Sequence, residues 1–491
     1  MKNRHAKLLV FLLLIYGLFL RLYSLSYQSY WIDEAFSINA VQMIIEKGVP
    51  VLESGMQYFR GLLFHYITAV PVLIFGLSEW SVRVIPALFA AASIIVVYLF
   101  ARRLFSSDVG LISALFWTFL SISIAWSRQA RMYPMLMFLF LSSLYLFWML
   151  LHEKRLRYGI LLGICAVAGF MTHPLSYSLP LIFAAYLPVH LYGRDISKKQ
   201  VLEFISEHAI AINMAIAIII IAILFRSRYF LSILATDVSY AGSYWLYLAG
   251  YGFLFYAAVP GLIIGGKVKE RLFVAIAFAV PFYIITNHQV LMHFRYIFFL
   301  LPLIIILSSR AFAWLLGELT RVRKILSYAG VLLLLLSVAF SSHFTVLPQK
   351  SYELEPQTPQ PDFKEAYAFV EDNIEEGEML ISSYAPVAKL YLRRPDYVVD
   401  FSMSGLEGAS IDLCRNCTTE RYCNISLIRN ATMLEDVIAG RVGYIVIDSL
   451  AARTMDPGLL SSVQSQELVY EEERDFFSAI YVYHFRIETF K

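Results

Sequence analysis

The sequence predicts a polytopic α-helical membrane protein, with about eleven spans, that ends in a small extracytoplasmic α/β domain. Three observations predict it. The 491-residue chain is 59% hydrophobic and only 16% charged, with a mean hydropathy of +0.64; soluble chains carry about 25% charged residues. Apolar runs close to the ~20 residues that cross a hydrocarbon core recur up to about position 350. Beyond it, short β-rich segments alternate with helical ones. The expected border therefore divides the chain into a membrane domain, 1–350, and a tail domain, 351–491.

The spans are expected at 8–23, 83–101, 109–126, 132–151, 158–172, 175–192, 206–225, 244–264, 272–287, 295–312 and 326–344. The first has a basic flank in Lys2, Arg4 and Lys7, as a signal peptide would. It lacks a small-x-small cleavage site and many spans follow it, so it reads as an uncleaved helix. Lys and Arg then set the orientation. With the N-terminus in the cytoplasm, every inner loop is basic: Arg102-Arg103; Lys154-Arg155 with Arg157; Arg194 with Lys198-Lys199; Lys267, Lys269 and Arg271; Arg321, Arg323 and Lys324. An odd number of spans places the tail outside.

The first outer loop, 23–82, is long. An amphipathic stretch, 35–47, and an apolar one, 61–77, are expected as helices at the outer interface; making the second a span would break the basic-inside pattern. The tail opens with a proline-rich linker, 348–361, then a helical run from Asp362 to Asn373. Strands are expected at 379–383, 397–401, 444–448 and 479–485. N-x-S/T sequons at Asn416, Asn424 and Asn430 are all in the tail, in agreement with an external location. Of four cysteines, Cys165 lies in a span; Cys414, Cys417 and Cys423 allow one disulfide and leave one thiol if the tail is outside. No zinc spacing, P-loop, dinucleotide fingerprint or nucleic-acid-binding feature is present, so no cofactor is implied, and dependence on a divalent metal is left open.

The chemistry is expected on the outer face. In Tyr30-Trp31-Ile32-Asp33-Glu34-Ala35-Phe36-Ser37 two carboxylates sit among aromatic and aliphatic residues just past the first span. Partial desolvation there tunes a carboxylate toward base work. An arbitrary acidic pair more often only starts a helix. What raises this one is its company. The outer loops hold one lysine, Lys47, but eight arginines: Arg21, Arg60, Arg83, Arg128, Arg131, Arg226, Arg228 and Arg295. A guanidinium fork suits phosphate oxygens, and a lipid-linked phosphate lies at this depth. The combination fits displacement at a sugar anomeric carbon: a carboxylate takes the acceptor's proton and arginines stabilise the leaving phosphate.

Through Arg21-Leu22-Tyr23, Trp31-Ile32-Asp33-Glu34-Ala35 and Ser127-Arg128-Gln129-Ala130-Arg131-Met132-Tyr133, the chain resembles the protein O-mannosyltransferase and lipid A aminoarabinose transferase family, polyprenyl-phosphate-sugar glycosyltransferases of the GT-C fold. Arg21-Leu22-Tyr23 with Trp31-Ile32-Asp33-Glu34-Ala35 resembles the family's first span and acidic motif. Phe75-Gly76-Leu77-Ser78-Glu79-Trp80-Ser81-Val82-Arg83 and Tyr98-Leu99-Phe100-Ala101-Arg102-Arg103 resemble the ends of its second span. Ser127-Arg128-Gln129-Ala130-Arg131-Met132-Tyr133 resembles a prokaryotic motif, and Arg295-Tyr296-Ile297 with Pro302 a later span start. The resemblance implies a GT-C-like membrane domain and an inverting transferase. The donor would be a dolichyl- or undecaprenyl-phosphate-linked sugar, mannose or related, and the acceptor a lipid-linked glycan, a protein or a surface lipid. It implies Asp33 as general base, Glu34 as its neighbour in positioning substrate, and Arg21, Arg60, Arg83, Arg128, Arg131 and Arg295 around the donor phosphate. Tyr133, His65 and His173 would face the cavity, although a lone histidine in a helical core is more often structural. One departure stands out: Arg60-Gly61-Leu62 replaces the family's basic residue followed by two prolines. The rival class is a transporter or lipid-linked-sugar flippase. Repeats and midplane charges would mark it, and neither is evident.

Overall fold

Backbone amides and carbonyls in lipid must pair within their own segment, and the apolar runs do so as helices. The computed structural model describes residues 3–192, 239–288, 292–354, 361–401, 418–472 and 478–486. In chain order, α1 (Asn3–Leu22) is followed by α2 (Ile32–Lys47), α3 (Leu62–Phe75) and α4 (Glu79–Leu104). Next come α5 (Ser107–Phe119), α6 (Ser121–Ser127), α7 (Tyr133–Glu153), α8 (Leu156–Thr172) and α9 (Ser178–Leu191). α10 (Ala241–Ala249), α11 (Phe253–Ile263), α12 (Val268–His288), α13 (Leu301–Val322) and α14 (Lys324–Phe340) complete the apolar part.

By length and composition, five helices among the described residues are able to cross a membrane, or six if α10 and α11, bent by 103°, form one broken span. The protein is a multi-pass membrane protein, but the eleven expected spans are not matched helix for helix. The one expected at 206–225 lies outside the described residues, as do Arg226 and Arg228. The one expected at 109–126 is two helices, α5 and α6, broken at Leu120. The backbone groups freed there pair with the segment after α14: Ser121 N–H donates to His343 O at 2.9 Å and Thr345 N–H to Phe119 O at 2.8 Å. α3 has 14 residues, about 21 Å of helix, too short for a hydrocarbon core of about 30 Å.

Two compact units divide the chain: residues Met1–Tyr23 with Arg83–Tyr352, and residues Ser24–Val82 with Glu353–Lys491. In the first, α11 packs on α13 with unusually close backbones. A Cβ on Gly261 would lie 1.9 Å from Leu307 O, so a glycine is required. The guanidinium of Arg310 donates to the carbonyls of Gly261, Ile264, Gly265 and Gly266 at the end of α11. Those carbonyls have no partner within the helix.

The second unit holds α15 (Phe363–Asn373), β1 (Met379–Ser382), α16 (Ala385–Leu392), β2 (Tyr397–Val399), β3 (Leu427–Ile428) and α17 (Ala431–Ile438). β4 (Gly443–Asp448), α18 (Ser449–Thr454), α19 (Pro457–Gln464), β5 (Glu467–Glu472) and β6 (Ile480–Phe485) follow. The sheet order is β3-β2-β1-β4-β6-β5. β3, β2, β1 and β4 run parallel, and β6 is antiparallel to β4 and β5. All four expected strands are present. β4 is buried along its whole length, which is why it reads as an unbroken apolar run. Asp362 caps α15 by accepting from Glu365 N–H at 3.3 Å.

The division differs from the expected one in where loop 23–82 belongs: it groups with the tail. The cause is α2, expected at the membrane interface. Its residues Phe36, Ala40 and Met43 share a buried cluster with Ala385, Val398, Tyr422 and Leu427, and the Phe36 ring stacks on Tyr422 at 3.9 Å. Cys423 is a buried free thiol whose sulfur accepts from Asn39 Nδ2 at 3.6 Å; Cys414 and Cys417 lie outside the described residues. Asn424 and Asn430 are exposed, and Asn416 also lies outside the described residues.

Candidate active site

α2 begins after Trp31, whose backbone is extended at φ −102°, ψ 169°. Asp33 and Glu34 therefore fall in the first turn, where backbone N–H groups lack helical partners and the dipole favours anions. Glu34 is fully buried, and its Oε2 accepts from the Trp31 N–H at 3.3 Å, the return bond of a capping box. Asp33 is half-buried, and its main-chain carbonyl accepts from Ser37 Oγ at 3.3 Å. Adjacent carboxylates thus receive different environments: Glu34 holds the helix start, and Asp33 keeps part of its surface open.

The Tyr384 hydroxyl follows β1 and donates to Asp448 Oδ2 at 3.4 Å. Burial, then Asp448, and also the charge of Asp33 push the Tyr384 pKa well above its ordinary value. Tyr384 is thereby kept as a neutral donor. Burial also raises Asp448 from its ordinary 3.8 to about 6. Between those values the folded chain holds a proton that the unfolded chain has lost, so this group's contribution to stability falls as pH rises through the window and is level above it. Asp448→Asn is expected to remove that slope, because an amide oxygen still caps the Ala451 N–H. Melting temperatures followed from pH 4 to 7 test it, and an unchanged slope would assign the effect to other carboxylates.

In the first unit the arginines divide into two sets. Arg21 is fully buried. Its Nη1 donates to Gly17 O at 2.9 Å and Thr118 O at 3.3 Å, and its Nη2 to Trp117 O at 3.4 Å and Ser123 Oγ at 2.9 Å. It closes the C-terminal turn of α5 at the Leu120 break. Arg128, also buried, donates to Arg21 O, Tyr23 O and Lys350 O, with its guanidinium 5.0 Å over the Tyr352 ring. Tyr23 and Tyr352 are the last residues of the two stretches that form this unit, so Arg128 ties those ends together. Burial first, and then the charge of Arg83, lower the Arg128 pKa to about 10, against the opposing influence of Tyr352. Both arginines were expected at a donor phosphate. The structure directs their donors to main-chain carbonyls and the Ser123 hydroxyl, which offer a fork-shaped cation the same acceptor chemistry.

The second set is linked through aromatic rings. Arg131 lies 5.9 Å over Tyr133, Tyr133 is 5.6 Å from His173, His173 is 6.4 Å from Tyr296, and Arg295 lies 5.7 Å over Tyr296. These residues come from the turn before α7, the end of α8 and the 3₁₀ turn Phe294–Tyr296. His173 is buried, and its Nδ1 accepts from Leu175 N–H at 3.2 Å. In the neutral ring that leaves Nε2 carrying the proton. Arg83 is buried and close enough to Arg128 to depress its pKa. Arg60 and His65 belong to the other unit, where His65 is buried beside Tyr58, 5.5 Å between rings. Gly61 precedes α3 at φ 84°, a conformation closed to proline, which accounts for the missing prolines.

Residues 60–225 match the family described as dolichyl-phosphate-mannose-protein mannosyltransferase. Over 193 residues the chain is 31% identical to the undecaprenyl phosphate-alpha-4-amino-4-deoxy-L-arabinose arabinosyl transferase of Pseudomonas aeruginosa (strain UCBPP-PA14), covering 37% of this chain and 35% of that one. The match thus spans about a third of this curated relative's length. The crystal structure of ArnT from Cupriavidus metallidurans in the apo state aligns with 96% of this chain and 97% of its own, at 15% identity and a TM-score of 0.57. The chain has the GT-C glycosyltransferase fold. The archaeal oligosaccharyltransferase AglB from Archaeoglobus fulgidus agrees, covering 98% of this chain and 74% of its own at 14% identity and a TM-score of 0.59.

Within this GT-C fold, the family match contains Arg60, His65, Arg83, Arg128, Arg131, Tyr133 and His173, and excludes Arg21, the acid pair and Arg295. Sequence reasoning gave no role to Tyr296, Tyr352, Tyr384 or Asp448. Two of these had a readable signal: Tyr384 and Asp448 sit at the carboxyl ends of β1 and β4, where open α/β sheets place functional groups.

Proposed function

We propose that this protein transfers a sugar from a polyprenyl-phosphate-linked donor to an acceptor hydroxyl on the outer side of the membrane, with inversion at the anomeric carbon. The observation that carries it is the linked set of Arg131, Tyr133, His173, Tyr296 and Arg295. Two guanidinium groups on aromatic rings, with an imidazole N–H between them, form a cationic site for a phosphate. Weak screening in a partly buried site strengthens that attraction. In the step itself the acceptor oxygen bonds to the anomeric carbon as the bond from that carbon to the phosphate oxygen breaks. The electron pair leaves with the phosphate, and the acceptor's proton passes to Asp33. Glu34, through its bond to the Trp31 N–H, fixes the turn that carries Asp33. Arg21 and Arg128 act as positioning residues.

The likeness to ArnT, solved also bound to undecaprenyl phosphate, and the match to a dolichyl-phosphate-mannose family support a lipid-linked donor. The basic loops support a cytoplasmic N-terminus and an external tail.

The test is polyprenyl phosphate binding by the purified full-length protein in nanodiscs. Arg131→Leu and Arg295→Leu are each expected to weaken binding by about tenfold or more, the loss of one charge-assisted contact. Melting temperatures should stay near that of the parent. Unchanged affinity in both variants would remove the phosphate from this cluster.

A further inference from the structure

The second unit contains a small open cleft, enclosing about 40 Å³, at the carboxyl ends of β1 and β2, the side of an open α/β sheet where ligands bind. Ser383 and Tyr384 line it after β1, Asp400 and Phe401 after β2, with Phe36 from α2 and Tyr422 from the segment before β3. The aromatic residues form two pairs: Phe36 stacked on Tyr422 at 3.9 Å, and Tyr384 edge-on to Phe401 at 4.9 Å. Between them are buried polar atoms with no hydrogen-bond partner among the described residues. Ser383 is 3% exposed and its Oγ has none; Asp400 Oδ1 is likewise unpartnered, while Oδ2 pairs with Arg429 Nε at 3.2 Å. Such atoms are costly to bury unless something completes them.

We infer that this cleft is a carbohydrate subsite that seats a sugar residue of the acceptor. A sugar ring presents an apolar C–H face to an aromatic ring and hydroxyls to its rim, which matches aromatic pairs around a serine hydroxyl and a carboxylate oxygen. Among the described residues, positive and negative side chains at the cleft are equal in number: Asp400 and Glu420 against Arg429 and Arg421. Asp400 faces Arg429, and Glu420 on the lining accepts from the Tyr422 and Cys423 N–H groups at 2.9 and 2.6 Å. The cleft therefore favours a neutral polyol over an anion. A peptide strand would seek a sheet edge, and a lipid chain would leave Ser383 and Asp400 unsatisfied. Two wall residues adjoin Asp33: Phe36 follows it by one helical turn, and Tyr384 feels its charge. The subsite's role as an acceptor site rests on the transferase reading; its existence does not.

The experiment is direct binding of methyl glycosides of manno-, gluco- and galacto-disaccharides to the full-length protein in nanodiscs, by saturation-transfer NMR and calorimetry, with a serine/threonine peptide as comparison. A disaccharide is expected to bind with the strongest saturation on one C–H face. Ser383→Ala, which removes a single atom and leaves the fold intact, is expected to weaken it about tenfold, and Phe401→Ala at least as much. Binding unchanged in both variants places the sugar elsewhere and overturns the inference. So does failure of every disaccharide to bind while the donor still turns over with another acceptor, and that result leaves the transferase reading standing. Ser383-dependent binding without turnover of any donor keeps the subsite and removes the transferase.

Discussion

Asp33→Asn is expected to lower sugar transfer by about 10²–10⁴-fold, the usual contribution of a positioned general base. Donor affinity and melting temperature should remain close to those of the parent. The amide replaces the carboxylate without change of size, and in the first turn of α2 the lost charge–dipole interaction is worth about 0.3–1 kcal/mol. Release of free polyprenyl phosphate in the presence of acceptor measures it. Glu34→Gln is the contrast. Its amide oxygen still accepts from the Trp31 N–H, so the turn holds and transfer is reduced far less than in Asp33→Asn. Wild-type transfer by Asp33→Asn would sink the assignment of the base, and near-equal losses in both variants would make the pair a unit rather than a base and its support.

Arg21→Met is expected to act on stability. The substitution leaves the carbonyls of Gly17, Trp117 and Thr118 and the hydroxyl of Ser123 without the donors they now have. A buried acceptor left unsatisfied costs about 1–3 kcal/mol. The contributions are not additive, so a total of about 3 kcal/mol or more is expected, read as a lower melting temperature and a lower folded yield. Arg21→Lys should rescue little, because a point charge cannot serve four acceptors spread around a planar fork. A variant that keeps its melting temperature and loses polyprenyl phosphate binding would return Arg21 to the donor site.

These two results separate what each level of description decides. The sequence by itself determined the class of the protein. Apolar runs have to become helices in lipid, and the alternating tail segments have to bury their faces in a sheet, so α1, α4, α7 and the strands β1, β2, β4 and β6 were legible from local composition. The cap at Asp362 was also local: the residue and the N–H it serves are three positions apart. The acid pair was placed at the start of α2 for the same reason.

What only the tertiary structure decided were relations between distant positions. A guanidinium has the same chemistry beside a phosphate and beside a helix-end carbonyl, so nothing near Arg21 or Arg128 in the chain separates them from Arg131 or Arg295. An apolar helix face carries no mark of what covers it, so α2 read as membrane-facing until Phe36 was found on Tyr422. The run through Leu120 looked continuous because the bonds that stabilise its break come from residues 343–345. Arg131, His173 and Arg295 are linked through the rings of Tyr133 and Tyr296 although they lie on three separate stretches of the chain. Local propensity is read from neighbours in the chain, whereas a site is made by neighbours in space.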